Sequence, residues 1–199
     1  MERVVRHSRL IRAHGVGRLD SSRCAAHAAV TSARADDGRF LTTVLMTDIV
    51  DSTHAASQLG DRRWRDLLAG HYSACQAQVS SRGGELVSTT GDGILAIFGG
   101  PARAVRAAIA IQTGARESGI AVRAGVHVGE CERLGRGLVG LTVHIAARIC
   151  ALGDADEVIT TAPVRDLAVG SLLAFEARGA QTLKGVPGDW VLYKATDSA

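Results

Sequence analysis

Two carboxylates, Asp48 and Asp92, stand where the 199-residue sequence is best placed to do chemistry. Asp48 ends the apolar part of LTTVLMTDIVDST (residues 41–53), and Asp92 lies in Thr90-Gly91-Asp92-Gly93 between two short apolar runs. A carboxylate at a strand end and another in a hairpin come side by side when their strands are neighbours. Such a pair suits hard divalent cations, which take oxygen ligands and sit about 3.5 to 4 Å apart in two-metal sites. There they activate an attacking oxygen and neutralise a polyphosphate. The glycines flanking Asp92 let backbone and phosphate approach closely. Arg148 offers a planar cation for charge developing on a transferring phosphate, and Lys184 in LKGVPG is a second phosphate partner. Each aspartate also has a structural reading, Asp48 as the polar end of a strand and Asp92 as a turn former. Spacing alone leaves both readings open.

These residues need elements to hold them. Residues 40–46 are apolar and β-branched, as in a strand buried on both faces. Asp51-Ser52-Thr53 offers N-cap side chains to a helix reaching Leu68, broken near Gly60-Asp61, with a second helical piece over 71–81. Residues 85–87 and 94–98 read as strands joined by a tight Asp-Gly turn. Pro101 opens a helix over 102–113 with a stripe of Val105, Ala108, Ile109 and Gln112. Residues 121–128 alternate as a strand, and the glycine-rich 129–140 reads as irregular. A helix over 141–152 sets Val143, Ala146, Ala147 and Cys150 on one side, with His144 and Arg148 four residues apart on the other. Strands at 157–160, 173–175 and 190–193, with a helix at 163–167, complete an α/β pattern: an α+β sandwich around one sheet.

Composition narrows the class. A 46% hydrophobic content with only 4% aromatics describes a globular chain with an aliphatic core. No apolar run approaches the roughly 18 to 20 residues of a membrane span, and arginines interrupt the N-terminus as a secretory signal. A cytoplasmic protein without membrane partners is the expectation. Cys24, Cys75, Cys131 and Cys150 lack zinc-ligand spacing and read as reduced, partly buried thiols. Residues 1–40 hold eight arginines against Glu2, Asp20, Asp36 and Asp37, a net of +4, leaving −1 for the remainder. Residues 1–39 therefore read as a basic, flexible extension, and 40–199 as the functional domain. The extension has no interleaved aromatics or DNA-binding motif, so nucleic acid is not the expected partner.

The segments TVLMTDIVDST, ELVSTTGDGILAIFGGPARAVRAAIAIQ, RAGVHVGE, VGLTVHIAARICAL and LKGVPGDWVLY, in that order, resemble successive blocks of class III nucleotidyl cyclase catalytic domains, especially the bacterial adenylate cyclase type. The resemblance runs from about residue 40 to 194. It implies a ferredoxin-like core, with a central, mainly antiparallel sheet flanked by helices, and a head-to-tail homodimer with active sites at the interface. It further implies a pair of Mg2+ or Mn2+ ions per site, held by Asp48, Asp92 and the backbone carbonyl of Ile49. Arg148 matches the family's transition-state arginine and His144 the residue one turn before it. Arg123 falls on a position associated with phosphate and metal-site support, and Lys184 near the phosphate-binding lysine. The implied reaction is attack of the ribose 3′-oxygen of ATP on the α-phosphorus, giving cyclic AMP and pyrophosphate.

Three positions depart from the family pattern. Ser88 stands where the purine-selecting lysine is found, and Gly137 where its companion aspartate falls on an ungapped alignment. Losing these hydrogen bonds removes about 1 to 3 kcal/mol each where a purine group is left unpaired. Weak turnover with relaxed selection of ATP over GTP follows; the alternative is a degenerate domain that dimerises, binds nucleotide and regulates a partner. Asp51 replaces a glycine common at its turn, which places a third carboxylate close to the metal site; it either opposes triphosphate by repulsion or caps the following helix, and the cap is the expectation.

Overall fold

The computed structural model describes residues 38–198. Residues 1–37 lie outside them, and with them most of the expected basic extension and Cys24. The strand at 40–46 is longer than its apolar core, running as β1 (Arg39–Ile49) to the residue after Asp48. It is central because both its faces are apolar. Leu45 and Ile49 pack into one core with Val105, Ala108, Val122 and Val126, while Phe40, Val44 and Met46 pack into another with Leu95, Ile97 and Ala146.

Helix α1 (Ser52–Ser81) is broken at Gly60 (φ 74°, ψ 158°), where the sequence places a break, and its second part runs on through 69–70, where a new piece was expected to begin. It leads into β2 (Gly84–Thr89) and β3 (Ile94–Phe98). Pro101 occupies the first turn of α2 (Pro101–Glu117), as read from the sequence, and the buried stripe includes Ala104, Val105, Ala108, Ile111 and Gln112. β4 (Val122–Leu134) then continues far past residue 128 and pairs with β5 (Gly137–Val139) through a two-residue turn. The expected irregular stretch is therefore a hairpin, its β4 limb extended by pairing with the start of β1 from Arg39 to Thr42.

The remaining elements are α3 (Leu141–Ala151), β6 (Val158–Thr161), α4 (Ala162–Leu167), β7 (Leu173–Thr182) and β8 (Asp189–Asp197). The strands form one sheet in the order β2-β3-β1-β4-β6-β8-β7, with β5 paired to β4. Only the β4–β6 pair is parallel. Helices cover both faces: α1 and α2 share the larger core with one face, and Ala146 of α3 lies in the core of the other. This is the expected α+β sandwich with a mainly antiparallel sheet. Among the described residues no helix is long and apolar enough to cross a membrane.

Candidate active site

Asp48 leaves the sheet at the end of β1, directly opposite Arg123 of β4 in the strand register. That register makes an ion pair: Arg123 donates to Asp48 Oδ2 from Nε at 2.8 Å and from Nη2 at 2.5 Å. Each side chain is about one third exposed (30% for Arg123, 32% for Asp48), so the pair sits at a solvent-open rim rather than in the core. Arg123 Nη1 also donates to the Ala151 carbonyl at the end of α3.

Asp92 reaches the same place through the β2–β3 turn. The expected tight turn joins the two strands, with Thr90 N donating to Gly93 O at 2.9 Å, but its positive-φ residue is Gly91 rather than a residue of the Asp-Gly pair. Gly93 is required for a different reason, close approach: a Cβ there would lie 1.8 Å from the Thr47 carbonyl oxygen. Ile94 N donates to Thr47 Oγ1 at 3.2 Å. The turn is thus stitched to the residue preceding Asp48. Tyr72 of α1 adds a hydroxyl hydrogen bond to the Gly91 carbonyl. Burial first, then the Asp92 carboxylate, raises the Tyr72 phenol above its ordinary value, so it stays a donor. Sequence reasoning passed over Tyr72, since only the fold brings this residue, 20 positions away, to Asp92.

Asp48, Ile49, Asp92 and Arg123 line a cavity of about 650 Å³, closed on another side by Asp51 and the first residues of α1. Asp51 is a correction to the expected cap. It occupies the N-cap position with φ 54°, ψ 34°, and its side chain makes no capping hydrogen bond. Its carboxylate instead belongs to the cavity wall, where it adds negative charge. The first-turn amides of α1 are left without a side-chain cap, and such amides favour an anion.

Asp48, Asp92 and Asp51 supply the hard oxygen donors that Mg2+ or Mn2+ prefers. Among the described residues no three His, Cys, Asp or Glu side chains are grouped closely enough to enclose an ion. Asp48 and Asp92 on one cavity match the way magnesium is bound by one or two carboxylates, with other oxygens completing its shell. Behind Asp48, a smaller cavity of about 260 Å³ reaches Thr90 and the inner face of α3 at Ala147, Cys150 and Ala151. Burial foremost, with the nearby Asp48 charge adding, pushes the Cys150 thiol up to about 12, so it remains a neutral packing group.

The other predicted residues are elsewhere. His144 and Arg148 are exposed on α3, and Arg148 Nε donates to the Lys184 carbonyl at 3.2 Å. Ile145 and Ile149 pack against Leu183 and Val186 beneath them, which ties Arg148 and Lys184 into one surface group. None of the three lines the 650 Å³ cavity. Ser88 is half-buried on β2 opposite Leu95, and Gly137 begins β5 opposite Leu134. Arg133 braces β4 to β2 through Glu85 with bonds of 2.8 and 2.5 Å, which sets the β5 hairpin near β2.

The sequence profile of the adenylate and guanylate cyclase catalytic domain matches residues 40–195. The chain belongs to this family, the class III nucleotidyl cyclases. Curated relatives of the cyclase domain are 30% identical over 153 residues, among them "Uncharacterized protein Rv2212" of Mycobacterium tuberculosis and "Uncharacterized protein Mb2235" of Mycobacterium bovis. The match covers 76% of this chain, which spans 40% of the relatives' length. Among solved structures, the domain is similar to the adenylyl cyclase CyaB from P. aeruginosa, with a TM-score of 0.75 and 20% identity over 81% of this chain and 96% of that one. It is also similar to the guanylate cyclase domain of RhGC from Catenaria anguillulae in complex with GTP, with a TM-score of 0.73 and 22% identity over 80% and 98% of the two chains. At these identities the likeness is one of fold, shared alike by adenylyl and guanylyl cyclases.

Proposed function

We propose that the domain is an adenylate cyclase that converts ATP to 3′,5′-cyclic AMP and pyrophosphate, with low turnover and relaxed selection against GTP. The observation that carries this reading is the shared cavity of Asp48 and Asp92, bounded by Arg123 and the uncapped start of α1. When bound, Mg2+ or Mn2+ supplies activation of the ribose 3′-oxygen and neutralisation of triphosphate charge. Asp48, Asp92 and the Ile49 carbonyl would hold the ions. The α1 amides orient the polyphosphate, and Arg123 shares the Asp48 carboxylate and stands ready for phosphate oxygens.

Arg148 stabilises negative charge on the transferring phosphoryl group, with His144 beside it and Lys184 on the polyphosphate. All three project from a surface separate from the aspartate cavity, which supports a homodimer in which each site takes its aspartates from one chain and Arg148 from the other. Ser88 and Gly137 contribute no long polar side chain towards a purine, which supports weak base discrimination. The same two residues favour a second reading, a domain that binds nucleotide and regulates a partner without turnover.

Incubation of the purified protein with ATP, and separately GTP, in manganese distinguishes them. Cyclic product identified by mass should fall about 100-fold or more in Asp48→Asn/Asp92→Asn, in line with the loss of transition-state charge stabilisation. No product above that control at any protein concentration leaves the regulatory reading standing.

A further inference from the structure

A cavity of about 420 Å³ lies where α1 ends and α2 begins, lined by Ser81, Arg82, Gly83, Arg103 and Arg106. It is remote from the aspartates. β3 delivers α2 at Phe98, which pairs with Thr43 near the start of β1, whereas Asp48 lies at the end of β1. Three guanidinium groups meet at this cavity and no carboxylate lines it. Among the described residues none of the three enters an ion pair. Arg82 donates through Nη1 to Gln78 O, Gln78 Oε1 and Ser81 Oγ. Arg106 donates through Nη2 to Ser171 O. Both keep further N–H donors, since a guanidinium carries five.

Packing and helix stability account for Arg82, a cation at the end of α1 where the helix dipole favours it. The same helix end reaches Arg103, which lies beside Gly83, but α2 itself opposes it. Arg103 stands in the first turn of α2, where the dipole disfavours a cation and no acidic residue offsets it. It also faces Arg106 three residues on, a like-charge spacing that destabilises a helix. The fold thus holds an exposed arginine against two electrostatic penalties within α2, offset only in part by the end of α1, and both are relieved by an anion in the cavity. No aromatic side chain lines the cavity, so it offers no platform for a base. Guanidinium forks match phosphate oxygens.

We propose that this cavity is a second, non-catalytic binding site for a small soluble phosphate compound carrying two or more negative charges. Arg103 and Arg106 are its principal ligands, with Arg82 at its edge. The site is independent of the cyclase reading, because no residue of the aspartate cavity contributes to it.

The test titrates the full chain with inorganic phosphate and with pyrophosphate, in EDTA at constant ionic strength, following the arginine Nε–H resonances and the melting temperature. Saturable shifts of the Arg82, Arg103 and Arg106 signals are expected. Arg103→Gln should weaken the apparent affinity by at least about tenfold, the effect of one lost charge-assisted hydrogen bond. The same exposed substitution should melt higher than the parent without phosphate and lower than it at saturation. That crossing separates a ligand site from a structural arginine. Unchanged affinity in both Arg103→Gln and Arg106→Gln overturns the proposal, as does an equal response to chloride. Binding seen only with vesicles containing a phosphoinositide, and not with the soluble anions, overturns it in favour of a membrane surface.

Discussion

The ion pair between Asp48 and Arg123 sets the terms on which a cation would enter the proposed site. Arg123 engages Asp48 Oδ2 through two nitrogens, so Asp48 offers its other oxygen to a cation while that pair persists. Asp92, by contrast, depends on the backbone of its turn, and Tyr72 is the side chain that anchors that turn to α1 through the Gly91 carbonyl. Removing the phenol hydroxyl in Tyr72→Phe takes away a hydrogen bond of about 1 kcal/mol and leaves the ring in its packing. The manganese concentration for half-maximal activity should rise roughly fivefold, while the melting temperature falls by only about 2 to 4 °C and the limiting rate at saturating manganese changes little. A fall in the limiting rate with no change in manganese dependence would place Tyr72 outside the metal site. The segments singled out Asp48 and Asp92, and the fold sets both on one cavity, whereas Arg148 stands on a separate surface. Tyr72 was not legible, because it depends on a tertiary contact; for Asp51 the sequence offered both a cap and a carboxylate at the site, and the backbone conformation decides for the second.

At the scale of elements, the site depends on how α3 rides on the sheet. Gly125 of β4 faces α3 so closely that a Cβ would lie 2.4 Å from the Ala146 carbonyl and 2.5 Å from the Cys150 nitrogen. These are backbone atoms, and the helix has to move to admit even a methyl group. Gly125→Ala should therefore lower stability by about 1 to 3 kcal/mol, the cost of overpacking. Calorimetry would register this as a drop of several degrees in melting temperature. Because α3 also carries Arg148 over Leu183 and Val186, activity measured well below the melting transition should fall as well. Intact activity with lowered stability would show that α3 tolerates displacement. The strands and helices were largely readable from period and turn chemistry: β1, β3, α2 and α3 lie where their apolar patterns put them. The β4–β5 hairpin was not, because glycines within 129–140 read locally as irregular, while pairing with β1 and the Glu85–Arg133 brace extend the strand. The kink at Gly60 was legible as a break; that the helix resumes without a loop is a matter of packing α1 along the sheet.

At the scale of the whole molecule, acid should loosen the fold in two steps. His127 is buried against Thr161 and Trp190, and burial lowers its pKa from 6.5 to about 4. The unfolded chain therefore takes up this proton first, so the stability held above pH 6.5 is lost as pH falls from 6.5 to about 4, by about 3 kcal/mol at most. His71, also lowered by burial, acts in the same direction. Glu157 follows below its ordinary value of 4.5: burial opposes its charge, but the Asp154 amide, Lys194 and Arg178 outweigh burial and hold the carboxyl low. Its contribution is present above 4.5 and disappears as pH falls through the depressed folded value. Denaturant melts from pH 7 to 4 should show the first loss in the parent and a flatter profile in His127→Gln. An unchanged profile would mean that water reaches the imidazole. Assembly is the larger question at this scale, since the aspartate cavity and the Arg148–Lys184 surface are distinct in one chain. Under two-fold symmetry, pairing them across an interface makes two equivalent sites. Mixing inactive Asp48→Asn/Asp92→Asn chains with inactive Arg148→Ala chains then creates hybrid dimers in which one site carries every defect and the other carries none. With random exchange, the mixture should recover about one quarter of the parent activity per chain. Dilution should abolish the recovery together with the parent's own activity. A mixture that stays as inactive as its components, with exchange demonstrated by differently tagged chains, would mean that each site draws its aspartates and Arg148 from the same chain.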